Sequence, residues 1–215
     1  MSLDTNSNTH TRVLEDGVIL CIRLDDGSRA LEICRAAAAG GLRTLEITLT
    51  TPGALDVIRE LAGDQDLLVG AGTALSADDV RAVHKAGGRF VMSPTFDPEV
   101  LDQARKLGVL AVPGASTPTE ILAAHRYGAS LVKVFPAGAL GGPEYLRRVR
   151  GPLPAISLVP TSGPTAETIA DYLAAGAVAV GIGPEVVGED RAPQEITDAA
   201  ARVRAALDEA RAAAR

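Results

Sequence analysis

Two β-patterned stretches carry an ionisable side chain where an apolar one would ordinarily stand. In Ser130-Leu131-Val132-Lys133-Val134-Phe135-Pro136, alternation puts Leu131, Lys133 and Phe135 on one face and Val132 and Val134 on the other, so Lys133 points either into the interior or against a helix layer. A buried ammonium is costly unless it is paired or neutralised. A neutral amine in a dry pocket is the nucleophile that attacks a carbonyl carbon to form an imine. In Arg43-Thr44-Leu45-Glu46-Ile47-Thr48-Leu49, the same alternation aims Thr44, Glu46 and Thr48 inward and Leu45, Ile47 and Leu49 toward covering helices. One amine and one carboxylate directed into a shared space would supply the nucleophile and proton carrier of Schiff-base chemistry. The same residues also read as a buried structural ion pair, or as charges reaching for the rim.

Small-residue turns follow other strand candidates. Gly70-Ala71-Gly72-Thr73 would let a ligand approach the backbone beside a hydroxyl. Ser162 and Gly163 of Pro160-Thr161-Ser162-Gly163, and Gly183 of Gly181-Ile182-Gly183, stand late in the chain, where barrels bind phosphate through backbone N–H groups. Each of these turns also reads as an ordinary connection. Arg23 ends the first strand candidate; it could hold a substrate anion or pair with Asp25 or Asp26.

These residues must be positioned by an alternation of short β-rich runs and Ala-rich amphipathic stretches. The strand candidates are Gly17–Arg23, Arg43–Leu49, Leu67–Ala71, Arg89–Ser93, Val109–Pro113, Ser130–Phe135, Ile156–Pro160 and Ala177–Ile182. Helical patterns fill the intervals and close on glycine at Gly40, Gly87, Gly108, Gly128 and Gly176. About eight such units without a linker predict an α/β chain forming a single (β/α)₈ barrel over residues 13–215, with a doubly wound sheet as the alternative. The polar stretch Met1–Thr11 reads as a flexible leader, residues 1–12 lying outside the barrel.

A formal net charge of -6 and a pI near 5.1 argue against nucleic acid as a partner. No run approaches the roughly 20 apolar residues of a membrane span, and the polar start lacks the apolar centre of a secretion signal, so a cytoplasmic location is expected. His10, His84 and His125 are scattered, and Cys21 and Cys34 have no ligand spacing, so no metal site is expected and both thiols should be buried and reduced.

Taken in order, Leu45-Glu46-Ile47-Thr48-Leu49, Gly70-Ala71-Gly72-Thr73, Pro113-Gly114-Ala115-Ser116-Thr117, Val132-Lys133-Val134-Phe135-Pro136-Ala137 and Pro160-Thr161-Ser162-Gly163 resemble the 2-keto-3-deoxy-6-phosphogluconate / 4-hydroxy-2-oxoglutarate aldolase family. The resemblance runs from about Gly17 to Val187. It implies a class I aldolase without metal or cofactor, usually a homotrimer. Its substrate would be a 2-keto-3-deoxy-6-phospho sugar acid or 4-hydroxy-2-oxoglutarate, cleaved to pyruvate plus glyceraldehyde 3-phosphate or glyoxylate. On this basis Lys133 would form the imine and Glu46 would shuttle protons. Thr73 would hold the pyruvate carboxylate, Ser162, Gly163 and Gly183 would line the phosphate end, and Arg23 and Pro94 would add substrate contacts.

The pattern is broken at several positions. Thr50 stands where many members carry arginine, and Pro184 stands where a phosphate-binding serine is common, which removes a hydroxyl and an N–H together. An aldolase for a non-phosphorylated 2-keto acid, an isomerase- or epimerase-type phosphate-binding barrel and a non-catalytic sugar-phosphate sensor are the alternatives.

Overall fold

Alternation of buried apolar residues along short runs, each followed by an amphipathic helix, produces the observed order of elements. The computed structural model describes residues 2–213. Strands β1 (Val18–Ile22), β2 (Thr44–Thr48), β3 (Leu68–Gly72), β4 (Phe90–Met92) and β5 (Leu110–Val112) lie within the first five runs read from the sequence, save for Gly72 at the end of β3. A short β6 (Gly114–Ala115) precedes β7 (Val132–Val134), β8 (Leu158–Pro160) and β9 (Val180–Ile182).

All ladders are parallel. They form a six-stranded sheet in the order β5-β4-β3-β2-β1-β9 and a three-stranded sheet in the order β6-β7-β8. The fifth predicted run is therefore divided at Pro113, which has no N–H for a ladder. Before Pro113 the chain pairs with β4; after it, Gly114 pairs with Lys133. Isolated bridges at Leu158–Ala177 and Thr161–Gly181 join the edges of the two sheets. The result is an α/β fold with a curled parallel sheet.

Curling gives the sheet two different faces. Leu45, Ile47, Val132 and Val134 face the helices, in the large core that includes Ile33, Ile58, Ile121 and Val203. Ile19, Leu68, Phe90, Met92, Leu110, Leu131 and Val159 form a second, inner cluster on the concave side. Thr44, Glu46 and Thr48 are buried on that concave side, so β2 presents an entirely polar inner face.

The expected flexible leader is instead helical: α1 spans Ser2–Asp16, with Met1 outside the described residues. Val13 is fully buried in the inner cluster. Arg12 donates to the carbonyls of Gln65 at 3.0 Å and Asp66 at 2.8 Å, and the Thr44 hydroxyl donates to the Asp16 carboxylate. The α1 helix thus closes the N-terminal end of the strands, a docking that polar composition alone does not reveal.

Several later helices start where a side chain satisfies their first N–H groups. Ser76 and Asp79 form a reciprocal cap on the helix Ala77–Lys85, and Thr117 and Glu120 do the same on the helix Pro118–Arg126. No helix among the described residues is long and apolar enough to cross a membrane.

Candidate active site

The site lies at the C-terminal ends of the strands, above the inner apolar cluster. Leu131 fills that cluster, and two residues later Lys133 points to the same side one layer higher. Its Nζ stands 4.0 Å from Glu46 Oε1, with the side chains 9% and 1% exposed respectively. The Phe135 ring centre is 5.2 Å from the same nitrogen. Period two alone put Glu46 on the inner face and left Lys133 inside or against the helices; the curled sheet turns it inward.

Glycine makes room for the carboxylate. Glu46 is in register with Cys21 on β1 and Gly70 on β3. A Cβ added at Gly72 would fall 1.9 Å from Glu46 Oε1. Gly72→Ala should therefore displace the carboxylate and lower kcat by roughly 100-fold, the scale expected for misplacing a reacting group by about 1 Å. Steady-state kinetics alongside thermal unfolding checks this: normal turnover in a folded variant would show that the seat of Glu46 is unimportant.

Neither Glu46 oxygen has a hydrogen-bond partner among the described residues. Burial raises its affinity for a proton above that of an ordinary carboxylate, and Lys133, Arg23 and the Cys21 thiol partly offset this. Burial and the neighbouring carboxylate push Cys21 up to about 12, so it is a neutral thiol at the wall of the site. It is half-buried rather than fully buried, because its side chain borders the cavity. Cys34 is buried, and both cysteines are free. Thr161 Oγ1 is also buried without a partner. An unpaired carboxylate and hydroxyl beside an amine form a set of polar atoms whose partners a bound substrate could supply.

Lys133, Glu46, Arg23, Ser162, Gly163 and Gly183 border one cavity of about 440 Å³. This is within the roughly 300–1,000 Å³ usual for small-molecule sites. Arg23 pairs with neither Asp25 nor Asp26. Its Nη1 donates to Thr50 Oγ1 at 2.6 Å and its Nη2 to Thr73 Oγ1 at 3.1 Å. Asp26 is engaged with Ser28, whose N–H and hydroxyl both donate to it at 2.9 Å. Held by neutral hydroxyls, the guanidinium keeps its full charge for an incoming anion. Thr48 backs the arrangement, its Oγ1 lying 3.0 Å from Thr50 Oγ1 and 3.1 Å from Thr51 Oγ1.

Thr73 reaches the site through Arg23 and is not on the cavity wall; Pro94 is not on it either. Pro94 packs its backbone against Gly114, where a Cβ would meet its carbonyl at 2.4 Å. Thr73 and Ser162 have φ of 60° and 59°. Such left-handed backbone costs on the order of 1–3 kcal/mol; both instances follow strand ends, and Ser162 is on the cavity wall. Sequence reading passed over Cys21, Thr161 and the Thr48–Thr50–Thr51 cluster. Thr161 was within a quoted motif, and Cys21 shares the inward face with Ile19 and Arg23. Period two turns Thr48 inward, but its contacts with Thr50 and Thr51 left no signal, because hydroxyl contacts across loops have no sequence period.

A wider concavity of about 610 Å³ lies at the other end of the strands, bordered by Thr9, Arg12, Leu68 and Arg89 and by none of the residues above. Among the described residues, no group of three or more His, Cys, Asp or Glu side chains is arranged to hold a metal.

A buried amine and a carboxylate at parallel strand ends, beside a cavity that Arg23 also borders, are the groups that an imine-forming aldolase needs. The sequence profile of the KDPG and KHG aldolases matches residues 10–203. The chain belongs to the KDPG and KHG aldolase family. It is 40% identical over 161 residues to the 2-dehydro-3-deoxy-phosphogluconate aldolase of Pseudomonas aeruginosa, covering 74% of this chain and 73% of that one. It is 37% identical to the KHG/KDPG aldolase of Escherichia coli strain K12 over 146 residues, covering 67% of this chain and 68% of that one. The KDPG aldolase of Legionella pneumophila, solved with pyruvate captured as a covalent carbinolamine intermediate, superposes with a TM-score of 0.80 at 31% identity, covering 87% of this chain and 93% of that one.

Proposed function

We propose that this protein cleaves a 4-hydroxy-2-keto acid to pyruvate and an aldehyde, reversibly, with Lys133 as the imine-forming nucleophile and Glu46 as the proton carrier. The observation that carries this reading is the Lys133–Glu46 juxtaposition at 4.0 Å on the wall of a ligand-sized cavity.

The Lys133 amine attacks the C2 ketone to give a carbinolamine, which loses water to become a protonated imine. Glu46, as carboxylate, takes the proton from the C4 hydroxyl. The C3–C4 bond breaks, its electrons flow into the imine, and the aldehyde leaves. The Glu46 acid then protonates C3 of the enamine, and water releases pyruvate and restores the amine. Arg23, fixed by Thr50 and Thr73, is suited to the substrate's C1 carboxylate. That role fits the absence of arginine at position 50: the cation is supplied from β1 instead of from β2.

The reading includes a single barrel over residues 13–215. Its support is the change of partner at Pro113, which makes β5 and β6 two halves of one strand, and the bridges between β8 and the β9 edge. It also includes a homotrimer, the assembly that the family resemblance implies; light scattering gives the subunit number.

Borohydride reduction in the presence of pyruvate tests the chemistry. Intact mass should rise by one reduced pyruvate, and peptide mapping should place it on Lys133. No adduct at saturating pyruvate would remove the imine mechanism and leave a binding barrel.

A further inference from the structure

The inner face of β1 carries Ile19, Cys21 and Arg23. Ile19 fills the inner apolar cluster, and Cys21 and Arg23 border the catalytic cavity above it. Cys21 pairs in parallel register with Glu46 on β2. Neighbouring strands lie about 4.8 Å apart and register partners share a face, so the thiol and the carboxylate stand side by side. On the other flank of β2, the register partners of Glu46 and Thr48 are Gly70 and Gly72, which have no side chain to offer. Of the two flanking strands, β1 therefore brings the side-chain donor to the level of Glu46.

The carboxylate needs that donor at one stage of the reaction above all. Glu46 is 1% exposed, and neither oxygen has a hydrogen-bond partner. The titratable groups that face it are Lys133 from β7, and Cys21 and Arg23 from β1. Arg23 already donates to Thr50 and Thr73. In the resting site the carboxylate is ion-paired with Lys133 at 4.0 Å and is not hydrogen-bonded to the thiol. Imine formation leaves the lysine nitrogen at most one hydrogen, and the enamine carries no positive charge. A buried carboxylate is then without its counter-ion, which is costly unless a donor replaces it. The thiol does not change through this cycle. Burial and the adjoining carboxylate hold it at about 12, so it keeps its hydrogen, and it lowers the proton affinity of Glu46.

Resting on the aldolase reading above, we infer that Cys21 is a positioning residue of this reaction: its S–H is the donor that takes over the Glu46 carboxylate when Lys133 is committed to the imine. It acts through Glu46 and not on the substrate.

The test follows kcat for cleavage of 4-hydroxy-2-oxoglutarate against pH, after borohydride trapping of pyruvate has been scored. Cys21→Val and Cys21→Ala both remove the donor, the first keeping the bulk and the second not; whichever traps pyruvate is folded and gives the answer. Cys21→Ser keeps a donor, and a stronger one. Without the thiol the carboxylate holds its proton longer. The limb on which kcat rises with pH should therefore move up by about half a pH unit or more, a loss of roughly threefold on that limb. The Ser variant should keep the limb at or below its wild-type position. Repacking alone would lower kcat by the same factor at every pH. An unmoved limb in the trapping variants, or a Ser variant shifted as far as Val, overturns the inference and leaves the aldolase intact. A wild type that traps no pyruvate defeats the aldolase reading first, and this inference with it.

Discussion

Lys133→Ala abolishes pyruvate trapping and lowers turnover by on the order of 1,000-fold or more, because the covalent route is lost rather than weakened. No second lysine borders the cavity to take over the attack. The substitution also leaves Glu46 buried without its partner, which costs on the order of 3 kcal/mol near neutral pH. The sign follows from protonation. Loss of Lys133 removes an influence that lowers the Glu46 pKa, so the folded state holds the proton still more tightly than the unfolded chain does. Stability is then retained at low pH, below the ordinary carboxylate range, and lost as pH rises through the raised folded value. Thermal unfolding from acid to neutral pH should show the gap between wild type and variant widening with pH. A variant that traps no pyruvate yet turns over normally would refute the imine mechanism.

Glu46→Gln should keep pyruvate trapping and lose cleavage. General acid–base catalysis contributes about 100- to 10,000-fold, and glutamine can neither take the C4 proton nor return one to the enamine. Since burial raises the Glu46 pKa, the rise of wild-type kcat with pH should centre above the range of an ordinary exposed carboxylate. The active form is the carboxylate, so the rate climbs as the proton leaves, and the Gln variant should lack this limb. An identical pH profile in the two proteins would assign the proton transfer to another group. Together the two variants separate imine formation from bond cleavage: one fails to trap, and the other traps but does not cleave.

Which residues share a face of β2 and of β7 was legible because a strand has a side-chain period of two. Leu131, Lys133 and Phe135 had to share one face, and Glu46 had to oppose Leu45 and Ile47. The helix caps Ser76–Asp79 and Thr117–Glu120 are equally local, each closing within four residues. The α1 helix was not legible. Its sequence is polar, and what holds it is docking: Val13 in a cluster built from distant strands, and Arg12 on the carbonyls of Gln65 and Asp66. Secondary structure that depends on tertiary contacts leaves little local signal.

The sequence by itself determined the residue types available for chemistry, the faces they occupy and the family pattern that orders them. Only the tertiary structure decided which of them meet. It set Lys133 beside Glu46 across the sheet, gave Arg23 to two threonines instead of the adjacent aspartates, and turned Glu185 onto the Ala166 amide. The reason is physical: facing follows from backbone geometry within one strand, whereas proximity depends on how the sheet curls and on the space that Gly72 leaves for a carboxylate.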